Sequence, residues 1–121
     1  MREILFRGKR VDNGEWVEGF YVHIPCGRFM CDEHLIQTIG EDRRIGQLYT
    51  VYESTLGQFT GLFDKNGKKV FEGDILEFRR GRKHIVKFED GAFVFTGTAI
   101  PVRYADKFEV IGNIHDNPEL L

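Results

Sequence analysis

Four side chains with metal-binding chemistry crowd into twelve residues of this chain: His23, Cys26, Cys31 and His34, spaced His-x2-Cys-x4-Cys-x2-His. Imidazole nitrogens and thiolates are ligands that tetrahedral zinc takes. Against that reading, the Cys-x4-Cys interval sits at the edge of the usual range and the four ligands are unusually close in sequence. The same residues also read as a strand pair carrying two small half-buried thiols and two surface histidines. On that second reading no stoichiometric metal is expected. A Cys26–Cys31 disulfide is disfavoured in a reducing cytoplasm, and a Cys–His nucleophile and base has no oxyanion-hole motif beside it.

A second concentration is electrostatic. Arg79, Arg80, Arg82, Lys83 and Lys87 fall within nine residues, together with His84, and Phe78 and Phe88 bracket them. Basic loops with neighbouring aromatics hold single-stranded nucleic acid, cations gripping phosphate and rings stacking on bases. The same charges also solubilise a hairpin tip and discourage edge-to-edge association of sheets. A net charge of −2 gives no global attraction to nucleic acid.

Other candidates reduce to structure. Glu72 and Asp74 flank Gly73 and would share one side of a strand, as paired acid–base groups do; an Asp after Gly also fixes a turn by bonding nearby backbone. His115-Asp116 resembles a base with its orienter. Thr60 and Ser54 have no partners that mark a nucleophile, and no phosphate-binding, dinucleotide, kinase, protease or glycosidase motif occurs.

The elements that must carry these groups are strands. The chain has 11 Phe and 4 Tyr, is rich in Ile and Val, holds few Ala, and places 14 Gly repeatedly at turn positions. No segment sustains helical apolar spacing over ten residues. Residues 4–10 and 16–24 read as a hairpin turned at Asp12-Asn13-Gly14-Glu15. A turn over 25–28, strands over 29–31, 34–39 and 47–52, and one helical turn over 53–56 follow. Residues 59–63 and 70–76 flank Asn66-Gly67, the pair that suits a type I′ hairpin turn. Segments 75–79, 84–88, 92–97 and 108–114 alternate with period two, pairing Leu76 with Phe78, Val86 with Phe88, Phe93 with Phe95 and Val110 with Ile114 on one side. Gly112 inside the last strand reads as a barrel corner.

Length bounds the rest. A chain of 121 residues buries roughly two-thirds of its unfolded surface, enough for one full domain or two small barrels sharing an interface. No stretch of about 18 apolar residues is present, and Arg7 interrupts Ile4-Leu5-Phe6, so neither a membrane span nor a signal peptide is expected. A cytoplasmic location follows as an expectation.

Three blocks in order along the chain resemble one family. They are Phe6-Arg7-Gly8 with Trp16-Val17-Glu18-Gly19-Phe20-Tyr21, then Gly57-Gln58-Phe59-Thr60-Gly61 with Asp64-Lys65-Asn66-Gly67 and Glu72-Gly73-Asp74-Ile75, and finally the run from Glu109 to Leu120. Together they are similar to the YopX family of phage and prophage proteins. The resemblance implies a phage or prophage protein of the bacterial or infected cell and carries no activity, cofactor or catalytic residue with it. His115 stands where the family often has an aromatic residue. Residues 23–44 and 79–107 match loosely, so a member-specific function would sit there.

The expected protein is all-β and a single domain over 1–121. Residues 1–56 form an N-terminal β-hairpin subdomain, and 57–121 form the central hairpin and an SH3-like small β-barrel. A short chain this rich in aromatics has more apolar surface than its interior hides, so a homo-oligomer is expected, acting as a non-enzymatic self-assembling or adaptor module. The alternative is a nucleic-acid-binding accessory protein using Arg79, Arg80, Arg82, Lys83 and Lys87; a metal-dependent or hydrolytic enzyme comes third. No cofactor is expected.

Overall fold

Strand-forming segments with tight turns become two compact units, one ending at Gln58 and one running Phe59–Leu121. The computed structural model describes residues 4–25, 32–40, 42, 44–78 and 81–121. The expected turn through 26–28 and the strand over 29–31 lie outside the described residues.

In the first unit, β1 (Phe6–Lys9), β2 (Trp16–Ile24), β3 (Glu33–Ile39) and β4 (Ile45–Thr50) pair antiparallel in the order β4-β3-β2-β1, and Gly57 and Gln58 continue the sheet beyond β1. The β1–β2 register sets Lys9 opposite Trp16, and the Arg7 and Lys9 cations lie over the indole at 4.7 and 5.5 Å. The conspicuous Arg and Trp of the opening hairpin therefore form one cross-strand cation–π cluster. After β4 the chain curls back. Val51 bridges Arg10, its N–H donates to the His34 carbonyl at 2.8 Å, and Tyr52 N–H donates to the Lys9 carbonyl at 2.9 Å. Thr55, in a 3-10 turn over Glu53–Thr55, fastens the curl by accepting the Lys9 N–H at 2.8 Å and donating to the Tyr52 carbonyl at 2.7 Å. Leu5, Ile36 and Val51 are buried beneath.

In the second unit, the remainder of β5 (Gly57–Phe63) pairs with β6 (Lys69–Phe71), and β7 (Asp74–Glu77), β8 (Lys83–Glu89), β9 (Ala92–Phe95) and β10 (Glu109–Asn113) form an antiparallel sheet in the order β10-β7-β8-β9. Its core is Val70, Leu76, Val86, Phe93, Phe95, Ala105, Phe108 and Val110. Of the residues expected on that side, Phe78 and Phe88 fall at strand ends and stay partly exposed. Two further 3-10 turns run over Val102–Lys107, entered from Pro101, and over Pro118–Leu120, which opens on its proline.

The fold departs from the expected SH3-like barrel, because no closed barrel forms among the described residues. β9 and β10 remain edges of their sheet. The single strand expected over 70–76 breaks at Glu72-Gly73, where Gly73 has φ 92°, so β6 and β7 join different partners. Between β9 and β10 the chain runs through Pro101 and a 3-10 turn over the core, where closure would need a strand.

Turn chemistry also differs. A type I′ turn needs positive φ at both central residues. Asp90 and Gly91, at 51° and 81°, meet that condition between β8 and β9. In the Asn66-Gly67 turn only Gly67 is left-handed, at 80°, and its N–H donates to the Asp64 carbonyl at 3.0 Å. The Asp64 carboxylate accepts the N–H groups of Asn66 and Lys68, which holds the turn right-handed until Gly67. Gly112 sits at a register shift between β10 and β7, not at the corner of a closed barrel.

Candidate functional site

The β2–β3 register places His23 directly opposite His34. Cross-strand partners project to the same side of a sheet, so the two imidazoles meet. They stack with centroids 4.6 Å apart and planes 4° from parallel. Tyr21, two residues before His23 and so on the same side, lies parallel to both rings. Its hydroxyl is 2.5 Å from His34 Nδ1, while His34 Nε2 faces the Glu53 carboxylate at 3.2 Å. Burial, followed by the negative charges of Glu53 and Asp32, raises the Tyr21 phenol above its ordinary range, so it keeps its proton. In the neutral state, Tyr21 O–H then donates to Nδ1, which leaves the ring proton on Nε2, the atom that faces Glu53.

His23 Nε2 reaches Asp32 Oδ2 at 3.2 Å, and one donor atom from each of His23, Asp32 and His34 lies within 4.8 Å of the others. The histidines of the zinc-like set are thus brought together. Cys26 and Cys31 lie outside the described residues. The carboxylate that joins the pair, Asp32, escaped the sequence reading because a lone Asp before a strand looks like a turn or solubilising residue. Its position two residues before His34 was the available signal.

The basic segment behaves differently. Arg79 and Arg80 lie outside the described residues. Arg82 is exposed just before β8; Lys83 opens that strand opposite Glu77, which in turn pairs with Glu109. Lys87 is exposed opposite Val94. Strand alternation therefore puts Lys83 among carboxylates on one side of the sheet and turns His84 to the core side, where its Nδ1 lies 2.6 Å from the Thr96 carbonyl. Arg82 lines a cleft of about 280 Å³ with Phe78, His84, Gly97, Thr98 and Ile100. The described cations do not form one continuous tract.

The remaining sequence candidates build backbone. Asp74, 1% exposed, accepts the Phe71 N–H at 2.7 Å. His115 and Asp116 donate their N–H groups to Asn113 Oδ1 at the end of β10. Thr60 Oγ1 donates to the Val70 carbonyl.

A further surface had no local signal. On the side of the first sheet opposite His23, the register aligns Phe20 with Gln37 and Leu48, and Val22 with Leu35, with Ile24 continuing the row. Phe20, Val22, Ile24 and Leu48 are exposed around buried Leu35. Ile39 pairs with Ile45 beyond a bulge, and Ile45 is 81% exposed. No helix among the described residues is long and apolar enough to cross a membrane.

The model of the YopX protein family matches residues 5–121. A crystal structure of protein EF1440 from Enterococcus faecalis is similar at 27% identity and a TM-score of 0.65, over 100% of this chain and 99% of that one. No curated protein matches the chain.

Proposed function

The chain belongs to the YopX family, and we propose that it acts as a non-enzymatic self-assembling module, joining a second copy of itself through the outer side of β2, β3 and β4. One observation carries the reading: an apolar sheet face ending in an edge strand that holds no Lys, Arg or Pro. Phe20, Val22, Ile24, Ile39, Ile45 and Leu48 expose roughly 500 Å² of side chain, at the upper end of the largest patch a monomer usually shows. The strands themselves, WVEGFYVHI, EHLIQTI and IGQLYT, contain no Lys, Arg or Pro. Solvent-facing edges are normally blunted by such residues, and β4 stands at the end of the strand order.

Two such patches facing across a two-fold axis supply an apolar centre of about 1,000 Å², to which a polar rim adds the rest of a standard interface of about 1,600 Å². Glu18 and Glu33 belong to that rim. A cytoplasmic phage or prophage protein with this face would serve as a scaffold or adaptor. Light scattering at micromolar concentration tests the reading. The expected result is a particle twice the chain mass of 14.1 kDa, and a single 14.1 kDa species for the Phe20→Lys, Ile45→Lys double variant with an unchanged circular dichroism spectrum. A wild-type chain that stays monomeric throughout would overturn it.

A second reading, single-stranded nucleic acid bound along 79–87, is favoured by the cleft that places Arg82 beside Phe78, a phosphate grip next to a stacking ring. Its test is a salt titration of binding to a mixed-sequence oligonucleotide. Arg82→Ala should lower the log–log slope by about one, the counterion equivalent of one phosphate.

A further inference from the structure

We propose that His23, Asp32 and His34 form a binding site for one divalent transition ion of the zinc, cobalt or nickel type. The site lies on the opposite side of the sheet from the assembly face, so the two proposals stand or fall separately.

The geometry argues for it in steps. Zinc bonds to imidazole nitrogen and carboxylate oxygen are about 2.0–2.1 Å long, so two ligands of a tetrahedral ion stand roughly 3.3 Å apart. His23 Nε2 and Asp32 Oδ2 are already 3.2 Å apart, and His34 offers its nitrogen within 4.8 Å of both. Closing that last gap takes a rotation of side chains, not a movement of backbone. The two histidines are fixed opposite each other on adjacent strands, so the ion pays no cost of bringing distant chain segments together.

One ring must turn, because a metal–nitrogen bond lies in the imidazole plane and the present planes are parallel to within 4°. His34, held by Tyr21 at Nδ1 and facing Glu53 at Nε2, is the anchored member; its side chain is 10% exposed. His23 is 41% exposed, bonded to Asp32, and is the ring that turns. To ligate, His34 frees one nitrogen: its proton moves from Nε2 to Nδ1, where the Tyr21 oxygen accepts it, and the Glu53 carboxylate, 3.2 Å from Nε2, can then complete the set as a fourth ligand. Two imidazoles with carboxylate suit borderline ions; magnesium and calcium prefer all-oxygen shells.

Isothermal calorimetry of the full chain at neutral pH, with zinc and then cobalt as the titrants, tests the proposal. The expected result is one ion per chain. Asp32→Asn and His23→Ala, both at exposed positions, should each weaken binding about tenfold or more. A Cys26→Ser, Cys31→Ser double variant should bind as the wild type does. The cobalt complex should show visible d–d bands without a thiolate-to-cobalt charge-transfer band. Lowering the pH should weaken binding, since protonated imidazoles cannot ligate. Absence of stoichiometric binding, indifference to Asp32→Asn and His23→Ala, or loss of binding in the double serine variant would each overturn it.

Discussion

Replacing Asp64 by Asn changes one oxygen to an amide nitrogen at a side chain that is 4% exposed, and the structure sets the consequence. Asp64 Oδ1 accepts the Asn66 and Lys68 N–H groups at 2.8 and 2.9 Å, and Oδ2 accepts the Val110 N–H at 2.9 Å. One carboxylate thus shapes the hairpin turn and ties it to β10. An amide has a single acceptor oxygen. If that oxygen keeps the turn, the NH2 group faces the Val110 N–H, donor against donor. An unsatisfied buried N–H costs about 1–3 kcal/mol, and the two surviving bonds lose their charge assistance, so the total is about 2–4 kcal/mol. On a chain of this size that lowers Tm by about 10 °C.

The pH dependence supplies an independent check on Asp64. Burial pushes its carboxyl upward, but the N–H bonds from Val110, Lys68 and Asn66, helped by the Lys68 charge, outweigh burial and hold it below the ordinary Asp value. The unfolded chain therefore takes up the proton first, near pH 3.9, and the folded chain only at lower pH. Asp64 thus stabilises the fold fully above about pH 4, and that contribution fades as the pH falls through the folded value. Urea midpoints of wild type and Asp64→Asn should differ most at pH 7 and converge as the pH falls below about 4. A difference under about 0.5 kcal/mol at pH 7, within the range of ordinary surface substitutions, would refute the reasoning. So would a gap that stays constant with pH.

Gly67 has φ 80° with nothing within 4 Å of an added Cβ, so Gly67→Ala should cost only the left-handed backbone penalty, about 1–2 kcal/mol, and Gly67→Val more; an unchanged denaturation midpoint would contradict this. At Gly112 the obstacle is contact. A Cβ there would sit 2.5 Å from Asn117 Oδ1, so Gly112→Ala should destabilise by about 1–3 kcal/mol and be partly rescued by Asn117→Ser in a double-mutant cycle. Phe108, fully buried against Phe95 at 4.8 Å, should cost about 3–5 kcal/mol as Ala in chemical denaturation. An ultraviolet titration comparing wild type with Tyr21→Phe should show one phenol ionising above the ordinary range of about 10, absent from the variant.

Strand positions were readable wherever one alternation dominated. The span 16–24 is β2, and the core residues Leu76, Val86, Phe93, Phe95 and Val110 follow from period two. What escaped depended on groups far apart in sequence or on competition within a turn. Asn-Gly favours type I′ in isolation, but Asp64 reaches forward to Asn66 and Lys68 and selects another turn, while Asp90-Gly91 adopts the type I′ form without competition. Strand alternation does not encode which strands pair, so it could not distinguish a closed barrel from sheets with β9 and β10 as edges.

The candidate sites show the same divide. A separation of eleven residues between His23 and His34 suits either a metal loop or a hairpin pair, and only the register reveals that the rings face each other with Asp32 just before β3. β2 carries large side chains in both phases, Phe20, Val22 and Ile24 on one and Tyr21 and His23 on the other. Its pattern therefore names a strand without naming its inner side. The curl of Val51 onto Arg10 decides that question, leaving Phe20, Val22 and Ile24 outward and Tyr21 and His34 toward the fold. The curl also ties β3 to the chain beyond β4, since the Val51 N–H donates to the His34 carbonyl. A substitution that opens the curl, Thr55→Val with loss of its bonds to Lys9 and Tyr52, should weaken assembly and metal binding together, though the two sites share no residue.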